Sequence, residues 1–331
     1  MTAQLTTTEE IHPVEPDAVL PRKFVGRSPG QIAWARLKAD RTAMVCMVIV
    51  GATILVGMFA PVVSWLYGVS PDETFTSLLT GDAVPKGYLG GLSGDHWLGL
   101  EPRLGRDLMM QVVYGIRTSL TIAFLAAILS TVLGVVMGVV AGYLGGWVDN
   151  VIGWIVDMLL ALPFIIFALA AMPAIQAAVY TPREAPSPFF KMVTLVIVFT
   201  VFGWVGTARL VRGQVLSLRE KEYVEAARAA GAGTMHILFK QLLPNLWAPI
   251  LVTFSLAVPG FITAEGALGF LTIGIVEPTP DLGRMISQSS NWLSADPMYF
   301  MVPAGTLFLL VLTFNLFGDA VRDALDPKTR R

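Results

Sequence analysis

Charge is scarce in this chain. Only 14% of its 331 residues are Asp, Glu, Lys or Arg, against about 25% in ordinary soluble domains. Cysteine is scarcer still: Cys46 stands alone, which excludes an intrachain disulfide and any cysteine-built metal centre. The three histidines, His12, His96 and His236, fall in separate polar segments without metal-ligand spacing, so no metal site is expected. The dipeptide Gly-Lys never occurs, which removes the phosphate-cradling loop of P-loop ATPases. A nucleophile elbow, an H-E-x-x-H helix and a dinucleotide fingerprint on a strand are missing too. No polar segment is long enough to bury a core of its own. An enzyme is therefore not the expected reading, and no catalytic residue is assigned.

What fills the chain instead is apolar sequence: 54% of residues are hydrophobic and the mean hydropathy is +0.66. A span needs about 20 mainly apolar residues to cross the hydrocarbon core. Six stretches meet that length: 43–66, 120–141, 151–172, 192–210, 246–275 and 300–317. The fifth is over-long and is expected to leave the bilayer early. Their apolar character is continuous, without the two-residue alternation of barrel strands. The expected fold is thus an all-α membrane protein with six transmembrane helices.

The sparse cations set the orientation. Arg22, Lys23, Arg27, Arg36, Lys38 and Arg41 precede the first span. Arg209, Arg212, Arg219, Lys221, Arg228 and Lys240 follow the fourth, and Arg322, Lys328, Arg330 and Arg331 follow the sixth. The bias predicts that these segments and both termini are cytoplasmic. The short turn 143–150, expected on the same side, carries no Lys or Arg. Residues 1–21 lack a basic stretch followed by an apolar core, so they read as a disordered tail rather than a cleaved signal. Residues 22–42 form a basic lead-in, either a short helix lying at the inner surface or a solvated strip. Residues 67–117 form an extracytoplasmic segment, in which Leu108, Val112, Val113 and Ile116 recur at helical spacing and predict an amphipathic helix ahead of the second span. A core of five further spans is bounded at 118–320, and residues 321–331 are expected to be a cytoplasmic tail.

Within the spans, Gly134, Gly138 and Gly142 lie four apart on one helical face and predict close helix packing. That contact is either fixed or a surface along which helices slide. Asp157 and Glu265 are the acids inside spans, and an intramembrane acid is a functional candidate by default. For each, helix packing or a hydrogen bond is the competing role.

The segment from 209 to 245 is too charged to insert. In EKEYVEAARAAG alanine favours helix, and Lys221 with Glu225, and Glu225 with Arg228, stand at pairing distance on a helical surface. A helix from Lys221 to Ala230 would expose Tyr223, Ala226, Ala227 and Ala230 on one small-residue face suited to a groove in another protein. Gly231 ends it, and Thr234 is the expected N-cap of a second helix running to Pro244. Two short helices meeting at glycine between spans would make a stiff elbow.

At this point Glu225, Ala226 and Ala227, then Gly231, then Leu243 and Pro244 resemble the EAA loop of permease subunits of bacterial ABC importers. Gln241 stands where that loop usually has isoleucine. SPGQIAWARLKADRTAMV, HWLGLEPRLGRDLMMQVVYGIRTSL, EGALGFLTIGIVEPTPDLGRMI and FNLFGDAVRDALDPKTR resemble the dipeptide, oligopeptide and nickel branch, in the subunit type with an N-terminal extension. The stretch Leu100-Glu101-Pro102-Arg103 is one residue longer than the family pattern, and the loop 173–190 is longer than expected. The resemblance implies a type I ABC importer permease fold in the bacterial cytoplasmic membrane. It also implies a second homologous permease, two cytoplasmic ATPases that bind ATP and magnesium in this subunit's stead, and an outer substrate-binding protein. Nucleic acid is not among the expected partners, and membrane lipid surrounds the chain. Tyr223, Glu225, Ala226, Ala227, Arg228, Gly231, Leu243 and Pro244 are then the residues that couple to the ATPase. No substrate residue is implied, and the cargo is a peptide, nickel or another small solute. A proton-driven secondary transporter using Asp157 and Glu265, or a membrane scaffold, are the rival readings.

Overall fold

A computed structural model describes residues 28–181 and 183–326. The tail 1–21, the basic residues Arg22, Lys23 and Arg27, and the terminal cations Lys328, Arg330 and Arg331 lie outside the described residues. Among the described residues the chain is helical, and its only strand-like pairings are isolated bridges between residues 74 and 107.

The basic lead-in is a helix, α1 (Pro29–Ala39). A capping box starts it: Ser28 Oγ accepts from the Gln31 N–H and Gln31 Oε1 accepts from the Ser28 N–H. Asp40 then caps α2 (Arg41–Met58) by accepting from the Thr42 N–H at 2.8 Å. The expected first span, 43–66, is not one helix. It turns at Phe59 into α3 (Ala60–Tyr67), because Pro61 has no N–H with which to continue the ladder.

Between 67 and 117 the expected separate amphipathic helix does not form. Asp107 caps a single helix, α4 (Leu108–Leu144), that runs through the predicted boundary at 117/118 and the whole second span. Its 37 residues extend about 55 Å. Nothing in the sequence there breaks a helix; Arg117 interrupts hydrophobicity, not backbone geometry.

The third span is the larger departure. Instead of one helix over 151–172, α5 (Gly146–Ala161) and α6 (Phe164–Val179) meet at 91°. Pro163 disfavours helical backbone at the residue before it, and Leu162 is accordingly extended, with φ −87° and ψ 123°. Because α6 runs to Val179, much of the expected loop 173–190 is helical; only residues 180–187 connect it to α7 (Pro188–Leu218).

After α7 come α8 (Glu222–Ala229) and α9 (Thr234–His236). The latter passes without a break into a π turn, Ile237–Leu242, and a 3-10 turn, Leu243–Asn245. α10 (Trp247–Phe270) stops before the end of the predicted fifth span, as expected of that over-long run. α11 (Leu282–Ser289) is short, and α12 (Pro297–Leu325) completes the chain. Five helices, α2, α4, α7, α10 and α12, are long and apolar enough to cross a membrane singly, and the bent α5–α6 pair makes a sixth crossing if it counts as one span.

The core is organised around α4, which packs most extensively on α7 and also on α10 and α2. One cluster joins Leu108, Val112, Leu120 and Ala127 of α4 to Ile262 of α10, Leu282 of α11 and Phe314 of α12. Another joins Ile122 and Ala126 of α4 to Leu195 and Phe199 of α7 and Leu268 of α10. α10 and α12 run antiparallel, since Gly318 sits against Ser255 and Leu256 while Gly266 sits against Leu307. α1 is tied to the end of α12, where Arg36 Nη1 donates to the Asp326 carbonyl at 2.7 Å. The bundle therefore has two distinct ends. At one lie α1, α8, α9 and the last turns of α4, α7 and α12; at the other lie residues 68–107 and α11.

Candidate coupling site

The α8 end carries the residues singled out in the sequence. α7 reaches Leu218, so Arg209 and Arg212 lie on its last turns, and the connecting segment proper begins at Arg219. α8 follows after a three-residue turn. Its C-terminus is a Schellman motif: the Ala232 N–H bonds to the Ala227 carbonyl and the Gly231 N–H to the Arg228 carbonyl, each at 3.0 Å. Gly231 takes φ +83°, a conformation that costs an L side chain about 1–2 kcal/mol. The glycine elbow is therefore built as expected. Its second arm differs in one detail: Gly233 holds the N-cap position and Thr234 is already helical.

Most of α8 is exposed. Tyr223, Glu225, Ala226 and Arg228 face outward, with Ala227 half-buried. One side chain does the anchoring. Val224 is fully buried in a cluster with Val139 of α4, Val211 and Val215 of α7, Ile237 and Leu242 of the π turn, and Leu246 and Ile250 at the start of α10. Burying a valine contributes about 1.5–3 kcal/mol, enough to fix an eight-residue helix to the bundle. Tyr223 Oη accepts from Asn245 Nδ2 at 3.3 Å, tying the two arms. Leu243 is half-buried against the same cluster and Pro244 is exposed.

The sequence reading missed Val224, although it is the only large aliphatic residue between Arg219 and Gly233. It also missed Met235 and Phe239, which are exposed beside α8 by 69% and 63%. Their four-residue spacing was the available signal for a second apolar face.

Gly134, Gly138 and Gly142 do what their spacing predicted. They press α4 against Trp204, Thr207, Ala208, Val211, Arg212 and Val215 of α7. Arg209 and Arg212 of α7, and Arg219 just beyond its end, reach the neighbouring helices. Arg209 Nη2 donates to Asp157 Oδ1 of α5 at 2.7 Å. Arg212 grips Asp149 of α5 through both its Nε and Nη2, the latter at 2.6 Å from Oδ2. Arg219 Nη1 donates to the Gly142 carbonyl at 2.9 Å, near the end of α4. The Arg209–Asp157 and Arg212–Asp149 pairs border an open cleft of about 520 Å³ between α5 and α7. The turn 143–150, which has no Lys or Arg of its own, thus receives its positive charge from α7.

The two acids inside spans have separate settings. Asp157 is exposed and ion-paired. Glu265 is fully buried, accepts from Ser119 Oγ of α4 at 2.7 Å, and lies beside the Asp281 carboxyl that caps α11. Both therefore fit the packing and hydrogen-bond roles.

At the opposite end, Glu277 joins Arg106 and Arg284. Burial alone would raise the Glu277 carboxyl, but a hydrogen bond from Gln288 and the charges of Arg284 and Arg106 hold it below the usual carboxylate range. Burial pushes the neighbouring Glu101 carboxyl up despite its pairing with Arg106. In the 100–103 stretch Arg103 adopts φ +76°.

A family model described as the binding-protein-dependent transport system inner membrane component matches residues 134–331. A second, the N-terminal TM domain of oligopeptide transport permease C, matches residues 28–78. The chain is 35% identical over 328 residues to the dipeptide transport system permease protein DppC of Alkalihalophilus pseudofirmus, covering 98% of this chain and 99% of that one. It is 36% identical over 299 residues to the oligopeptide transport system permease protein OppC of Bacillus subtilis, covering 90% of each. Among solved structures, an inward-facing form of the MetNI methionine ABC transporter aligns with a TM-score of 0.53 at 21% identity, over 66% of this chain and 98% of that chain.

Proposed function

Because the chain belongs to the family of binding-protein-dependent transport system inner membrane components, we propose that it is one of two permease subunits of an ATP-driven importer of dipeptides or oligopeptides. The peptide cargo is supported by its similarity to dipeptide and oligopeptide permeases. In this reading the α8 end faces the cytoplasm and the end bearing α11 faces the binding protein, in agreement with the distribution of Lys and Arg. ATP and magnesium are held by two partner ATPases, and this subunit contributes no catalytic group.

The observation that carries the proposal is the attachment of α8. Its exposed face offers Tyr223, Glu225, Ala226 and Arg228 to a partner, while Val224 roots it among α4, α7 and α10. When nucleotide closes the ATPase dimer, the motor displaces α8. The displacement passes through the Val224 cluster into α7, whose Arg209, Arg212 and Arg219 hold α5 and the end of α4. α5 then moves with α7 and reorients at the bend before α6, opening the paired bundles on the side of the binding protein. A second permease lies along the apolar surface of α5 and α6, where Trp154, Leu160, Ile166 and Val179 are exposed. Hydrolysis returns the pair to the inward-open state.

Reconstitution tests this. The chain, its companion permease, both ATPases and the binding protein are placed in proteoliposomes, and uptake of a labelled dipeptide is followed. Uptake is expected to require internal ATP, and cysteines at Ala226 or Ala227 are expected to crosslink to an ATPase. Uptake driven by a proton gradient without ATP would establish the secondary-transport reading instead. Capture of an ATPase with no solute movement would establish the scaffold, and selective uptake of nickel would replace the peptide assignment.

A further inference from the structure

Between α2 and α4 a groove of about 390 Å³ opens on the surface of the bundle, lined by Ile54 and Met58 of α2 and by Leu120, Phe124 and Leu125 of α4. Arg117 stands at its edge. The two helices meet closely there: a Cβ on Gly57 would lie 3.4 Å from the Arg117 Cα.

The level of this arginine in the membrane follows from α2. Its 18 residues rise about 27 Å, nearly the ~30 Å of the hydrocarbon core. Gly57, one residue from the end of α2, and Arg117 beside it therefore sit at the boundary between acyl chains and headgroups. Trp65, 79% exposed in α3 just beyond, occupies the headgroup level favoured by tryptophan. Phe124 and Leu125, seven and eight residues further along α4, lie about 11 Å deeper. The apolar surface continues along α4 through the exposed Ile128, Leu129 and Val132.

Arg117 is exposed, and none of the ion pairs or side-chain hydrogen bonds among the described residues engages its guanidinium, which lies 6.0 Å from the Tyr114 ring. Arg209, Arg212 and Arg219, at the α8 end of the bundle, each have an oxygen partner; among the described residues Arg117 has none. An arginine at the hydrocarbon boundary extends its guanidinium into the headgroup layer. A guanidinium fork matches a phosphate bidentately, and phosphodiesters are what a bilayer supplies at that level.

We propose that this groove is a phospholipid site, in which Arg117 binds the phosphodiester and one acyl chain lies along Leu120, Phe124 and Leu125. The bound lipid would then bridge α2 to α4. The inference needs only that these helices span a membrane. It is independent of the transported solute and of which side α8 faces.

The test measures lipid binding directly. The full-length chain, purified with its partner subunits and delipidated in detergent, is titrated with phosphatidylglycerol and, separately, with diacylglycerol of the same chains, and retained lipid is counted by native mass spectrometry. Phosphatidylglycerol is expected to be retained and diacylglycerol lost. Arg117→Gln should weaken retention at least tenfold, Arg117→Lys much less, and Leu125→Trp, which fills the groove, should abolish it. Equal retention of the two lipids by the unmodified protein, or unchanged binding in Arg117→Gln, would overturn the proposal. So would a photocrosslinker at Leu125 that captures a protein chain in the assembled transporter. The lipid comparison on the unmodified protein decides the matter even if a variant fails to fold, and a failed transport assay leaves it untouched.

Discussion

Gly138→Ala is the substitution for which the structure gives the sharpest sign. A methyl group there would lie 2.6 Å from the Ala208 carbonyl oxygen and 2.8 and 3.0 Å from Cβ and Cγ1 of Val211. The nearest obstacle is backbone, so no rotamer change relieves it; α4 and α7 must separate locally. Separation cannot be confined to one turn, because Gly134 and Gly142 hold the same two helices equally close on either side. Overpacking of this kind costs about 1–3 kcal/mol, and a backbone obstacle places it in the upper part of that range. Against it stands the helix-propensity gain of alanine over glycine, up to about 1 kcal/mol. The net expectation is a loss of about 1–2 kcal/mol.

The control is Gly213→Ala on α7, where an added Cβ meets nothing within 4 Å. That variant keeps the propensity gain and avoids the clash, so it should be neutral or stabilised by up to about 1 kcal/mol. Thermal unfolding of the detergent-solubilised protein, followed by tryptophan fluorescence, reads both. Gly138→Ala should unfold several degrees below the unmodified chain and Gly213→Ala at or above it. If the two variants unfold together, the α4–α7 contact has slack and the glycines form a sliding surface rather than a fixed one.

Three further outcomes are expected. Gly231→Val should abolish ATP-dependent dipeptide uptake while leaving the chain inserted: the position has open space but φ +83°, so the defect lies in the turn after α8, and normal uptake would count against the elbow. Charge reversal at either Asp149 or Arg212 should reduce uptake, and the double exchange Asp149→Arg with Arg212→Asp should recover part of it; a double variant no better than the singles would deny that the pair transmits movement. The lowered Glu277 carboxyl gives stability that is complete above its ordinary pKa, near ~4.3, and is lost as pH falls through the lower folded value. The unfolding-temperature difference between the unmodified protein and Glu277→Gln should therefore be largest above about pH 6 and shrink toward pH 3; a difference that grows on acidification would reverse the assignment.

How much of this the sequence disclosed depended on the range of the interactions. Spans were legible because burial in hydrocarbon demands long apolar runs, and the glycine face and the alanine-rich helix were legible because both repeat locally. Pro163 was visible within the third run, yet hydropathy averages over a proline and hid the bend at Leu162. The continuity of α4 was hidden for the opposite reason, since Arg117 interrupts hydropathy while leaving the helical backbone intact. Val224 left no periodic trace, because one buried side chain in eight residues has no period. Asp149–Arg212 and Asp157–Arg209 pair residues 63 and 52 positions apart, and only the packing of α5 against α7 brings them together.

These interactions also differ in how readily they yield. The α4–α7 face is close-packed: Gly134, Gly138 and Gly142 leave no room for a Cβ against the carbonyls of Trp204, Ala208 and Arg212 and the side chains of Thr207, Val211 and Val215. α5 and α6 bury less: α6 packs chiefly on α7, and α5 joins α7 through Val156 against Trp204, Val205 and Ala208 and through two partly exposed ion pairs, a kind worth about 0–1 kcal/mol each at a surface. A load entering through α8 would therefore move α4 and α7 as one body and spend itself in the bend at Leu162. The arginines need not be strong for this. They need only keep α5 in step with α7 over a small displacement, which bidentate geometry at Asp149 allows, while letting go when the displacement grows. Under the proposed function, a close-packed core beside an already broken span would let a path open without unpacking the subunit that opens it.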